Sequence, residues 1–248
     1  MTIETEADVI ALQRIGGIVA SVLGEMLEAA EPGMTTRELD ALGGRLLARH
    51  GAHSAPKLVY DFPGFTCISI NEEAAHGVPG ERVIRPGDVL NVDVSAELDG
   101  YFADTGSTIV VPPASPQKTR LCHAARAALT HAMQQARAGR PLNAIGAAIQ
   151  RTAKHHGFRI IRNLGSHGVG RALHEAPENI PGYFDPTDQR ILQDGMVITI
   201  EPFLSTRSRL VSEATDGWTL VGGRGNLSAQ YEHTMIITSG EPIVVTRH

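Results

Sequence analysis

The chain has 248 residues, 42% hydrophobic and 20% charged, with a net charge of -5. That length suits one large domain or two small ones around a real core. No Lys/Arg run stands out, which argues against a nucleic-acid or anionic-membrane partner.

The two cysteines, Cys67 and Cys122, form no CxxC pair, so neither a disulfide framework nor a zinc knuckle is indicated. The opening MTIETEADVI lacks the basic and apolar regions of a signal peptide. No apolar run is read as approaching the about 20 residues that span a bilayer, so a cytoplasmic protein is expected.

Residues 6–30 show helical periodicity, with Val9, Ile10, Ile15, Ile18, Val22, Met26 and Leu27 near one face. Thr35 to Glu38 reads as a capping box that opens a second helix to about His50, with Gly51 after it. FTCISI and VLNVDVSAEL alternate as strands do. Asp99-Gly100 is a hairpin turn signal, and YFADTGSTIVV is the returning strand. Pro112, Pro113 and Pro116 break the chain near its midpoint. Residues 117–138 and 142–156 then read as helices, and FRIIRN as a strand. LGSHGVGRALHE, Leu164 to Glu175, reads as a glycine-rich loop. MVITIEPFLS, WTLVGG, SAQYEHTMIITS and PIVVT read as strands. Each half runs helix, helix, antiparallel strands. One α+β domain over 1–248 is expected, with duplicated halves of approximately 1–113 and 114–248 around a central antiparallel sheet.

The carboxylates are the informative residues. If Asp99-Gly100 is a two-residue loop, Leu98 pairs with Tyr101 and Asp93 falls opposite Gly106. Asp104, two residues from Gly106, then points to the same side as Asp93. Such diagonal neighbours lie roughly 7–8 Å apart, too far for contact and suited to a cation between them. Leu90, Val92 and Val94 occupy the other face, and an inward carboxylate on such a strand needs a partner. A surface hairpin with solvent-facing aspartates is the bland alternative. Glu201 and Glu232 also lie in strand-like runs where Glu is disfavoured, although either alone reads as an edge-strand charge. Four inward carboxylates repel and retain protons. Two divalent cations neutralise them. A carboxylate-rich set with one or two histidines suits Mn(II), Fe(II) or Co(II) better than a thiolate-rich zinc site does. Two-metal sites activate water for attack on a carbonyl or phosphoryl group.

The histidines divide less cleanly. His76 precedes a Gly/Pro turn, where it can face a cleft or merely the surface. His155 and His156 lie near a helix end, and His123 and His131 on a helix. His233 follows Glu232 and so points to the opposite face. His50, His53 and His248 carry no signal. His167 and His174 are seven positions apart, with Gly165, Gly168 and Gly170 around the first, so they do not form the HExxH pattern of one helical face. One can ligate a metal while the other reaches a substrate, and glycines let backbone approach a ligand closely.

NVDV, DGYFADT, SHGVGRALHE, ITIEPF and SAQYEHT, in this order, resemble a type I methionine aminopeptidase over nearly the whole chain. The resemblance implies the pita-bread fold, a duplicated α+β arrangement. It implies that Asp93 chelates one of two divalent metals, Asp104 and Glu232 bridge, and His167 and Glu201 complete the second. Co, Mn or Fe is implied, with Zn also admissible. His76 and His174 correspond to two non-ligand histidines at the substrate. Asn71 and Ser228 correspond to backbone ligands of a monovalent cation, Na or K. Phe62, Cys67 and Trp218 align with the methionine pocket. Leu173 and Val59 stand there where aromatics are frequent.

The implied reaction is hydrolysis after an N-terminal Met with a small second residue. Glu201 shuttles a proton, His174 donates to the oxyanion, and His76 bonds near the scissile nitrogen. Nascent chains at the ribosome are the implied substrates, and a monomer is expected. The nearest rival is an aminopeptidase or dipeptidase acting before proline, with the same ligands. Such enzymes carry a separate N-terminal domain that this chain is too short to hold. The second rival is a binding protein on the same fold, which typically loses ligands; here all five are present.

Overall fold

Thr5 with Asp8, and Thr35 with Glu38, form capping boxes that satisfy the free amides at two helix starts. In the computed structural model, which describes residues 1–247, these helices are α1 (Glu6–Ala29) and α2 (Thr36–Arg49). His248, the end of the expected domain span, lies outside the described residues. Next come β1 (His53–Ser54), α3 (Ala55–Tyr60), β2 (Cys67–Ile70), β3 (Glu73–Ala75), β4 (Val89–Leu98) and β5 (Tyr101–Val110). The second half holds α4 (Pro116–Met133), α5 (Asn143–His156), β6 (Arg159–Ile160), β7 (Gly165–Gly168) and β8 (Glu175–Pro181). It continues through β9 (Val197–Ile200), β10 (Phe203–Ser205), β11 (Ser212–Glu213), β12 (Leu220–Val221), β13 (Ser228–Gln230), β14 (His233–Ile236) and β15 (Ile243–Val244).

The β4–β5 hairpin keeps the expected register, from Leu98 opposite Tyr101 through Asp93 opposite Gly106. Asp99 and Gly100 have φ of 54° and 80°, the left-handed pair of a tight hairpin turn. The hairpin is a core element. Leu90, Val92 and Val94 are fully buried against Ile15, Val19 and Val22 of α1 and Leu39 of α2. Each such side chain contributes about 2 kcal/mol of burial. One expectation is corrected here: α1 is long and apolar enough, by length and composition, to cross a bilayer. Its apolar stripe instead forms part of this core.

A second core joins α4 and α5 to the other sheets through Leu121, Leu129, Ile145, Ile198, Leu204 and Met235. Its strands differ from expectation. MVITIEPFLS splits into β9 and β10, and SAQYEHTMIITS into β13 and β14. Ile200 pairs with His233, and Phe203 pairs with Gln230. One register therefore runs through both ladders and sets Glu201 opposite Glu232 in the gap between them. Pro202 has no N–H for a ladder, which favours the break there. The segment expected to be a loop is also corrected. Gly165–Gly168 is strand β7, paired with β8 and β9. A Cβ on Gly168 would lie 2.3 Å from the Ala176 carbonyl, so the β7–β8 approach requires glycine.

Candidate active site

A cavity of about 260 Å³ opens where these elements converge. Asp93 and Asp104 reach it from the hairpin, His167 from β7, and Glu201 from the break after β9. Donor atoms of Asp104, His167 and Glu232 lie within 4.8 Å of one another. His167 Nε2 is 3.5 Å from Glu201 Oε1 and 4.0 Å from Asp104 Oδ2. The structure thus brings together all five residues that the sequence singled out as ligands.

Their protonation follows from burial. Desolvation, then the Asp104 charge, pushes Asp93 and Glu201 well above the ordinary carboxylate range. Glu232 is raised by desolvation and then by Asp104, Glu201 and Asp93. Asp104 is raised to about 6, with desolvation outweighing the hydrogen bonds it receives. Burial, then neighbouring His174, takes His167 down to about 3. Its neutral ring donates from Nδ1 to the Gly168 carbonyl at 2.9 Å. The Nε2 lone pair therefore faces the carboxylates.

Such a set of acceptors fits a cation. Asp104 Oδ1 and Glu232 Oε1 are buried with no hydrogen-bond partner among the described residues. Each orphaned acceptor costs about 1–3 kcal/mol, more when charged, unless something else satisfies it. Hard carboxylate oxygens with one imidazole match a divalent transition metal.

Supporting groups that the sequence did not reveal hold these side chains in place. Gln230 Nε2 donates to Glu232 Oε2 at 2.8 Å, and Asn91 Nδ2 donates to Gln230 Oε1 at 2.9 Å. Gly106 makes room: a Cβ there would lie 2.3 Å from Gln230 Oε1. Thr199 Oγ1 donates to Glu201 Oε1 at 3.3 Å and accepts from the His167 amide at 3.2 Å. The Glu201 amide donates to Ser166 Oγ at 2.9 Å. The one signal available was their position within the same motifs.

The cavity wall carries His76, His174, Phe62, Cys67, Leu173 and Trp218. Phe62 meets Trp218 edge to face, with centroids 5.3 Å apart. Desolvation by the cavity walls depresses the pKa of His76 and His174 although both keep exposed surface, and the His76 charge adds to the effect at His174. Burial, then Asp93, holds the Cys67 thiol well above its usual range. The 169–174 turn folds His174 back until its ring centroid is 4.1 Å from that of His167. Arg171, stacked over Tyr101 and bonded to Asp8 at 2.9 Å, ties this turn down.

Val59 is corrected. It is exposed and stands outside the lining, while Tyr60 beside it lines the cavity. The segment is the short helix α3, where successive side chains point about 100° apart, so only one of the pair turns inward. Asn71 and Ser228 are brought together: the Ser228 amide donates to the Asn71 carbonyl at 2.9 Å.

Residues 11–239 match metallopeptidase family M24. The chain is 44% identical over its full length, and that of the relative, to methionine aminopeptidase 2 of Bacillus subtilis. It is 46% identical to a methionine aminopeptidase of Staphylococcus epidermidis, over 100% of this chain and 99% of the relative. Its fold superposes on the methionine aminopeptidase of Thermotoga maritima with a TM-score of 0.95, 32% identity and full coverage of both chains. The α+β architecture is thus the pita-bread fold, and the chain belongs to metallopeptidase family M24, among the methionine aminopeptidases.

Proposed function

We propose that the protein hydrolyses the first peptide bond of chains beginning with Met and a small second residue such as Ala, Gly or Ser. Two divalent cations, Co, Mn or Fe with Zn admissible, would be held by Asp93, Asp104, His167, Glu201 and Glu232. The observation that carries this reading is the pair of orphaned buried oxygens, on Asp104 and Glu232, below a cavity walled by Phe62, Leu173 and Trp218. When bound, the cations polarise the methionyl carbonyl and lower the pKa of the attacking water.

The protein supplies the rest. Glu201 takes the proton of that water and returns it to the leaving amine. His174 donates a hydrogen bond to the carbonyl oxygen as charge gathers there. His76 bonds near the scissile nitrogen. Phe62, Cys67, Leu173 and Trp218 enclose the thioether side chain, an apolar group that such walls suit. Asn71 and Ser228 are assigned to a monovalent cation, Na or K, through backbone oxygens. Nascent chains at the ribosome, in the cytoplasm, are the proposed substrates, and the enzyme acts as a monomer.

The test is metal-stripped protein reconstituted with Mn, Fe, Co or Zn and assayed on Met-Ala, Met-Gly, Met-Lys and Ala-Pro peptides. Metal-dependent release of Met from Met-Ala and Met-Gly is expected. Metal-independent turnover, or preference for Ala-Pro, contradicts the reading.

A further inference from the structure

Tyr60 belongs to none of the motifs that mark this site, yet it reaches the reacting groups. It ends α3, and its hydroxyl is 2.8 Å from Nδ1 of His174. The two rings lie 5.7 Å apart at 48°. Both side chains line the cavity that holds the carboxylates. The His174 ring also rests against His167. It is therefore held through one nitrogen and packed against a neighbouring ring.

A neutral imidazole has one N–H and one lone pair, and the partner of one nitrogen decides the state of the other. With Nδ1 committed to Tyr60, Nε2 is the ring nitrogen left for a substrate. If the hydroxyl donates to Nδ1, Nε2 carries the hydrogen and can donate to an oxygen gathering negative charge. If the hydroxyl accepts instead, Nε2 presents a lone pair and repels that oxygen. A phenol can do either, so the demand at Nε2 selects the direction. Tyr60 is 43% exposed, so its remaining lone pairs can be met by solvent while its hydrogen goes to the ring.

We propose that Tyr60 is a positioning residue whose hydroxyl donates to His174 Nδ1, fixing the Nε2–H tautomer and the ring angle at which His174 meets the substrate carbonyl oxygen. This rests on the peptide-hydrolysis reading given above. It assigns Tyr60 a purpose beyond forming the wall where Val59 was expected.

Tyr60→Phe tests it, since the ring stays and only the hydroxyl is lost. The tautomer is read in the zinc-loaded holoenzyme with nitrogen-labelled histidine rings, by nitrogen–proton correlation spectra. The His174 signals are identified by their loss in His174→Gln. The parent is expected to show the Nε2–H form, and Tyr60→Phe a mixture of both forms. On a Met-Ala peptide, Tyr60→Phe should lower kcat by about five-fold with KM within about two-fold, the scale of one lost hydrogen bond. An Nδ1–H form in the parent overturns the proposal. So does a Tyr60→Phe enzyme with unchanged tautomer and unchanged kcat. The tautomer is read without turnover, so lack of peptidase activity would count against the hydrolysis reading alone.

Discussion

Glu201 and Glu232 stand opposite each other in a gap between two ladders that share one register. Ladder pairing on either side fixes both backbones while the gap frees both side chains to turn toward Asp104 and His167. Strand-like sequence and inward charge coexist here because the carboxylates sit at the interruption and not inside either ladder.

Glu232→Gln keeps the shape and removes the charge. Activity should fall by at least about 100-fold, because even supporting residues around a metal are worth 10–100-fold. The metal-free protein should melt at a higher temperature than the parent, since one of four mutually repelling buried carboxyls is gone. Calorimetry in chelator checks this, and a lower melting temperature there would contradict the electrostatic account.

Gln230→Ala tests the support of Glu232. Losing the 2.8 Å bond to Oε2 frees the carboxylate to rotate. Metal affinity should fall about 10- to 100-fold with the fold intact. Titration calorimetry with Mn(II) reads the affinity, and circular dichroism reads the fold.

Metal binding should depend on pH in a direction set by burial. In the metal-free protein Asp104 keeps its proton up to about 6, and Asp93, Glu201 and Glu232 stay protonated above the ordinary carboxylate range. His167 is already neutral above about 3, so it does not compete. Cations must displace carboxyl protons, so affinity rises with pH through about 6 and protons are released on binding. The same carboxyls destabilise the metal-free fold as pH rises from the ordinary carboxylate range through their raised values, because the native state binds more protons there. Calorimetry in buffers of different ionisation heat measures the proton release. An affinity unchanged from about pH 5 to 7.5 would refute this assignment.

Leu173→Ala separates pocket shape from chemistry. Leu173 is 3% exposed, packed with Val169 and Val197 behind and the cavity in front. The truncation should cost about 2–5 kcal/mol of stability. It should raise KM for Met peptides more than it lowers kcat, because the reacting groups are untouched. Denaturant unfolding and steady-state kinetics on Met-Ala supply both numbers.

The hairpin is legible because a two-residue Asp-Gly loop dictates its own register, which places Asp93 and Asp104 on one face without reference to any tertiary contact. The opposition of Glu201 and Glu232 is not, since it depends on pairing between strands about thirty residues apart, which no local pattern encodes. Helix α3 leaves no signal in the sequence because six residues starting Ala-Pro are too short to show a period, and Tyr60 is silent with it. Strand β8 is hidden by Pro177 and Pro181 and by the charged Glu175 and Glu178, which read as loop. Gln230, Asn91 and Thr199 are ordinary polar residues until long-range packing aims Gln230 at Glu232, Asn91 at Gln230 and Thr199 at Glu201.

The central claim is that five side chains hold a pair of divalent cations. Anomalous diffraction from crystals loaded with Mn(II), recorded at the manganese edge, tests it most directly. The account predicts two peaks among Asp93, Asp104, His167, Glu201 and Glu232, both lost in a Glu232→Gln, Asp104→Asn double variant. No peak at that position, or manganese bound only elsewhere on the molecule, would contradict it.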